Sequence, residues 1–317
     1  MGLSGSAMNV VTHKIGGIVF RTALNAWLPR IFEEPFELFG IEDTRPDIHQ
    51  FISNVNPDHG GLPQPSDEER PNFSKYDYFP SDWQNNSFLR SQIVRNRLKG
   101  LPDSKEQVVI WVEDHHLYIR DFSQNRIDIY YTKNHQEYPP QHPGAIPEYH
   151  VAANLRQMLA TFLPRFSAIL LHCSGVIRGG RSALFVAPDD GGKTTVLAQS
   201  NGEPVLNDDQ IIIRKEGDVA VAHATPLGVI TSGPCQAPVG ALFMLEKASS
   251  FQIDPVSPSE FVQYLWAEHQ NYTFFLPKHL KQQAFRLLCD LCYRLPTYLM
   301  RFPRDHVDWD AIDDAME

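Results

Sequence analysis

The stretch Ala183-Leu184-Phe185-Val186-Ala187-Pro188-Asp189-Asp190-Gly191-Gly192-Lys193-Thr194-Thr195 constrains this chain more than any other. Its apolar start reads as a buried strand, a small polar loop follows, and Lys-Thr-Thr leads into a short helical segment, Val196 to Gln199. Strand, glycine-rich turn, Lys-Thr and helix are the parts of a phosphate-binding loop. The start of a helix leaves amide donors unpaired and carries partial positive charge. Glycines let that backbone close around phosphate oxygens. Lys193 adds a full charge, and the Thr194 hydroxyl can ligate Mg²⁺. Two departures from the strict pattern stand out: Ala187 replaces the first glycine, and Asp189 and Asp190 lie inside the loop. The competing interpretation is a glycine turn capping an ordinary helix.

The flanking sequence supports the first interpretation. An apolar run from Ala168 to Ile177 meets the strand through Arg178-Gly179-Gly180-Arg181, and Gly-Gly between two apolar runs is a strong hairpin signal. Asn201-Gly202 ends the helix. Next come Val205-Leu206-Asn207-Asp208-Asp209, an apolar strand ending in two aspartates, and the apolar Ile211-Ile212-Ile213. Mg²⁺ takes one or two carboxylates together with phosphate oxygens and water. Asp208 and Asp209 suit that role; alternatively they form a plain turn between strands.

The N-terminal half is patterned differently. Lys14 to Phe20 reads as a first strand, with a second apolar segment around Phe36 to Phe39. The proline-rich stretch from Pro57 to Pro80 cannot sustain a helix or ladder and reads as a long loop, with Tyr76, Tyr78, Phe79 and Trp83 docking its end. Residues 107–132 carry three short apolar runs and read as an antiparallel meander; His115 and His116 fall at one of its turns and face opposite ways. Prolines at 139, 140, 143 and 147 mark a linker. The expected organisation is a β-rich N-terminal domain over 1–146 and a phosphate-loop domain over 147–317, an α/β chain overall. In the second half, apolar spacing predicts helices from Val151 to Leu163, from Pro258 to about His269 and around Leu280 to Leu291. Val239 to Leu245 reads as a strand, Leu299 to Phe302 as an edge strand, and Asp308 onward as an acidic tail or last helical turn, most simply a solvated end.

A net charge of −10 argues against general nucleic-acid binding. No apolar run is long enough to span a membrane, and the N-terminus lacks a secretory pattern, so the expected setting is cytoplasmic. Four cysteines are too few for a disulfide framework, and Cys289 and Cys292 sit on an apolar helical stripe, which assigns them to the core.

The segment Leu171-His172-Cys173-Ser174-Gly175, the loop with Gly192-Lys193-Thr194-Thr195, and Leu206-Asn207-Asp208-Asp209 occur in an order and spacing that resemble the HPr kinase/phosphorylase-like family. That family is related in fold to ATP-dependent phosphoenolpyruvate carboxykinases. Ala224-Thr225-Pro226-Leu227-Gly228 and Pro296-Thr297-Tyr298-Leu299-Met300-Arg301-Phe302-Pro303 resemble segments of its HPr kinase-related branch. The resemblance covers roughly 150–305 and leaves out the N-terminal half. It implies a C-terminal P-loop kinase-like domain using ATP and Mg²⁺ to phosphorylate a hydroxyl, a serine of a peptide or protein. Residues Ala187 and Asp190 to Thr195 would contact the nucleotide, with Lys193 on the β- and γ-phosphates. Thr194, Asp208 and Asp209 would ligate Mg²⁺, Asp208 would serve as general base, and His172 would face the phosphates. Family members commonly form rings, so a homo-oligomer is a possible assembly. Asp189 and Asp190 oppose this reading: two unit charges at 4 Å repel by about 1 kcal/mol in water and about 4 at an effective dielectric of 20. A degenerate nucleotide-binding sensor or scaffold, or a kinase for a small metabolite, are the alternatives.

Overall fold

Two glycines break the expected first strand. Gly16 and Gly17 have φ of 60° and 73°, values that side chains resist, and they turn the chain into a hairpin of β1 (Asn9–Ile15) and β2 (Ile18–Asn25). A Cβ on Gly17 would lie 2.4 Å from Arg214 Nη1, and that same nitrogen donates to the Gly16 carbonyl at 3.2 Å. The computed structural model describes residues 9–25, 46–54, 88, 91–104, 106–113, 116–131, 148–273 and 276–317. The expected segment around Phe36 to Phe39, the proline-rich loop, His115 and the 139–147 linker lie outside these residues.

The hairpin continues into a six-stranded sheet. It adds β3 (Ile48–Asn54), β4 (Val108–Glu113), β5 (His116–Asp121) and β6 (Arg126–Tyr131) in the order β1-β2-β3-β6-β5-β4. β4, β5 and β6 pair antiparallel, as the patterning of that region predicts. Helix α1 (Gln92–Lys99) projects Arg97 onto the fully buried Asp121 and Asp128, at 2.8 and 2.6 Å.

The second half builds an eight-stranded sheet from β7 (Ala168–Arg178), β8 (Arg181–Val186), β9 (Val205–Asn207), β10 (Gln210–Glu216), β11 (Val219–His223), β12 (Gln236–Lys247), β13 (Gln252–Pro255) and β14 (Thr297–Phe302). Its order is β11-β10-β7-β8-β12-β14-β13, with β9 attached to β7. β8, β12 and β14 run parallel to one another, and β8 is buried from Ser182 to Val186 and β12 from Val239 to Leu245. β14 is therefore an interior strand, paired with β12 on one side and β13 on the other, and not an edge.

Helices α2 (Glu148–Phe162), α3 (Lys193–Leu197), α4 (Pro258–Thr273), α5 (Lys278–Arg294) and α6 (Trp309–Met316) complete the described architecture. α6 corrects the expectation of a solvated acidic end. Asp308 caps it through Ala311 N at 3.1 Å, and Trp309, Ile312 and Met316 are buried beside Phe185 and Phe243. Arg178 lies over the Trp309 ring and pairs with Asp313. All four cysteines are free thiols; Cys292 is buried in the core, where burial pushes its thiol up to about 12, and Cys289 is half-buried.

One apolar cluster joins Ile15, Ile18 and Phe20 of the first sheet to Leu159 and Phe162 of α2 and to Leu170 and Ile212 of the second sheet. Within β1, His13 is buried, and desolvation lowers its pKa to about 4. The unfolded chain therefore binds a proton near pH 6.5 that the folded chain refuses, so stability falls as pH drops from about 6.5 to about 4. The expected contribution is about 3 kcal/mol at most, and His13→Leu should flatten this part of the stability–pH curve. A variant curve as steep as the parent's would show that His13 is not responsible.

Candidate functional site

The β7–β8 hairpin turns at Gly179 and Gly180, with φ of 55° and 79°, and β8 delivers the chain into the glycine-rich loop. The loop is tightly folded: Gly191 N donates to Pro188 O at 3.0 Å. A Cβ on Gly191 would lie 2.4 Å from the Ala187 Cβ, and one on Gly192 would lie 2.7 Å from Phe302 Cζ. Asp190 takes a left-handed φ of 60° and Gly192 one of 106°. Asp is among the side chains that tolerate this region best, which explains how it replaces a glycine. Ala187 is buried and is not among the described residues with positive φ.

Helix α3 begins at Lys193, three residues before the start that patterning suggests, and ends at Leu197. Lys193 is only 8% exposed, and its Nζ donates to Ala187 O at 2.7 Å and Pro188 O at 3.1 Å. Thr194 is exposed and Thr195 half-buried at the start of the helix.

Across the loop stands the carboxylate turn. The apolar strand ends at Asn207, Asp208 and Asp209 form the turn itself, and β10 starts at Gln210. Asn207 organises it while fully buried. Its Oδ1 accepts from Asp209 N at 2.8 Å and Gln210 N at 2.7 Å, and its Nδ2 donates to Thr225 O at 2.9 Å. Thr225 returns a bond from Oγ1 to Gln210 O at 2.6 Å. The Ala224-Thr225-Pro226-Leu227-Gly228 segment thus packs directly on the turn.

Asp208 Oδ1 accepts from Val229 N at 2.9 Å and Ile230 N at 3.1 Å, while Oδ2 makes no hydrogen bond to the described residues. Both oxygens of Asp209 are engaged: Oδ1 lies 2.9 Å from His172 Nε2, and Oδ2 accepts from Arg156 Nη2 at 2.9 Å. Burial opposes the Asp209 charge, but the His172 hydrogen bond and the Arg156 charge outweigh it and hold the carboxyl below its ordinary range. His172 Nε2 is also 3.5 Å from Asp189 Oδ1, so this histidine bridges the loop and the turn.

Loop and turn line one cleft of about 940 Å³, within the usual size of small-molecule sites. Arg156 of α2, Gly228, Val229, Lys247, Phe302 and Arg304 complete its wall. Patterning does not single out Arg156, Lys247 or Arg304. Arg156 is a polar position on an amphipathic helix, Lys247 ends a long apolar strand, and Arg304 follows Pro303. The four aspartates of the wall, at 189, 190, 208 and 209, are matched by four cations, at 156, 193, 247 and 304. The repulsion expected from Asp189 and Asp190 alone is therefore not the whole field inside the cleft.

Among the described residues, no group of three or more His, Cys, Asp or Glu could hold a metal by itself. The donors that line the cleft include the exposed Thr194, the free oxygen of Asp208 and the exposed carboxylate of Asp190, a set that suits Mg²⁺ when phosphate oxygens and water supply the remaining ligands. No helix among the described residues is long and apolar enough to cross a membrane.

No family model and no curated protein matches the chain. Among solved structures, the Hpr(Ser) kinase/phosphatase from Coxiella burnetii aligns with 46% of this chain and 91% of its own, at 10% identity and a TM-score of 0.24. A score of that size does not define a shared fold. What holds without it is a sheet-rich, mixed α/β chain with a loop-and-carboxylate cleft.

Proposed function

We propose that the cleft binds ATP with Mg²⁺ and transfers the terminal phosphate to a hydroxyl, a serine of a peptide or protein. One observation carries this reading: the buried Lys193, at the start of α3, and the Asp208–Asp209 turn line the same cleft. When bound, Mg²⁺ would neutralise phosphate charge, with Thr194 and Asp208 as its protein contacts. Lys193 would leave the carbonyls of Ala187 and Pro188 for phosphate oxygens. Asp208 would take the acceptor proton as that oxygen bonds to phosphorus and the bond to the leaving nucleotide breaks. Asp209, fixed by Arg156 and His172, would keep the turn and the histidine in place. In phosphoryl transfer, positioning and charge stabilisation supply most of the rate.

The test is transfer from γ-labelled ATP to serine-containing peptides. Asp208→Asn keeps the Oδ1 that holds Val229 and Ile230 and removes the proton acceptor. It is expected to cut kcat by about 10²- to 10⁴-fold. Full transfer by the variant would remove Asp208 from the mechanism. A non-catalytic nucleotide sensor is the second reading, favoured by the engagement of Lys193 and Asp209 with protein partners. Its signature is ATP binding with no transfer to any acceptor.

A further inference from the structure

The order of strands gives the cleft a direction. The loop follows β8; on one side lies β7, which carries His172 and holds β9 and the Asp208–Asp209 turn. On the other side β12 and β14 run parallel to β8 and end in register, Lys247 beside Phe302. Ligands of parallel sheets collect outside the carboxyl ends of the strands, which is where Lys247 and Arg304 stand. Neighbouring strands are about 4.8 Å apart, so these cations lie roughly one and two strand spacings from the loop.

The four cations of the cleft differ in what they hold. Lys193 is bonded to loop carbonyls and Arg156 to Asp209. Arg301, close by, is paired with Glu246 and Asp254. The side chains of Lys247 and Arg304 have no hydrogen-bond or ion-pair partner among the described residues, and both line the cleft. The backbone beneath them is fixed: Ala248 N donates to Phe302 O at 2.9 Å, and Gln199 Nε2 donates to Arg304 O at 3.2 Å. Two cations without a direct partner among the described residues therefore stand at the strand ends beside the loop.

We propose that Lys247 and Arg304 form a second anion subsite, which holds the non-transferred phosphates of a polyphosphate donor laid across the loop. This deepens the donor assignment made above and rests on it. The terminal phosphate then points to Asp208 and Asp209. The acceptor approaches from the far side, over the lip at Val229, whose side chain is 90% exposed. A donor with three phosphates spans loop and subsite, whereas orthophosphate fills the loop alone.

Calorimetry with tripolyphosphate and with orthophosphate tests this on the full chain, comparing the parent with Lys247→Gln, Arg304→Gln, the double variant and Lys193→Ala. Both positions are exposed and unpaired, so unchanged melting temperatures are expected. Charge-assisted bonds of this kind set the expected loss of tripolyphosphate affinity at about tenfold for each single variant and about a hundredfold for the double. Orthophosphate affinity should stay the same in the double variant. A double variant that binds tripolyphosphate as tightly as the parent, while Lys193→Ala does not, overturns the subsite and leaves the donor reading standing. Failure of the parent to bind tripolyphosphate also overturns the subsite. Binding that depends on Lys247 and Arg304 without any transfer from ATP keeps the subsite and removes the kinase reading.

Discussion

Lys193→Ala is expected to weaken ATP·Mg²⁺ binding by about two to three powers of ten. An ammonium on phosphate forms charge-assisted hydrogen bonds worth about 1.5–3 kcal/mol each, and tenfold in affinity corresponds to about 1.4 kcal/mol. Lys193 is 8% exposed, so little water competes for it once a phosphate displaces its present partners, the carbonyls of Ala187 and Pro188. Calorimetry on the parent and the variant reads the effect directly. A melting curve on the same samples separates it from unfolding, because the variant also leaves those carbonyls without their donor. Equal micromolar affinities in the two proteins would mean that the loop is not where phosphate binds.

Asn207→Leu should produce the largest stability loss of any single substitution in the turn. The buried amide of Asn207 satisfies Asp209 N, Gln210 N and Thr225 O at once. Each group left buried without a partner costs about 1–3 kcal/mol, so about 4 kcal/mol is expected in total. For a chain of this size that lowers Tm by roughly 6 °C. Gly228 adds a constraint, since a Cβ there would lie 2.6 Å from Asn207 Oδ1 and 2.2 Å from Asp208 Oδ1. Thermal unfolding of Asn207→Leu within a degree or two of the parent would show that the turn is held by something other than this residue.

The parts of the site that could be read from the chain are the local ones. Gly179-Gly180 marks its hairpin because two consecutive positive φ values need glycine or a close substitute. The loop announces itself through Gly191, Gly192 and Lys193, adjacent in sequence. Lys247 and Arg304 escape notice because they meet the loop only through the strand order β7-β8-β12-β14, and Arg156 because it reaches Asp209 from a separate helix, neither of which a local pattern encodes. The same reason hides β14 as an interior strand: its partner β13 is four residues long with no continuous apolar run. For α6 the signal was present but outweighed by charge. Trp309, Ile312 and Met316 recur at helical spacing, yet the aspartates between them suggest a solvated end. The break at Gly16-Gly17 was also visible as a glycine pair, obscured by the apolar residues on either side.

Helix α2 places two consecutive residues in different surroundings. Gln157 accepts from Arg120 of β5 at 2.8 Å, where burial lowers the guanidinium pKa to about 10, while Arg156 reaches Asp209 in the cleft. Excising the N-terminal sheet would remove the partner of Gln157 and uncover the apolar face that Ile15, Ile18 and Phe20 now cover. A shortened chain is therefore expected to melt at a lower temperature than the whole chain, whatever the chemistry of the cleft.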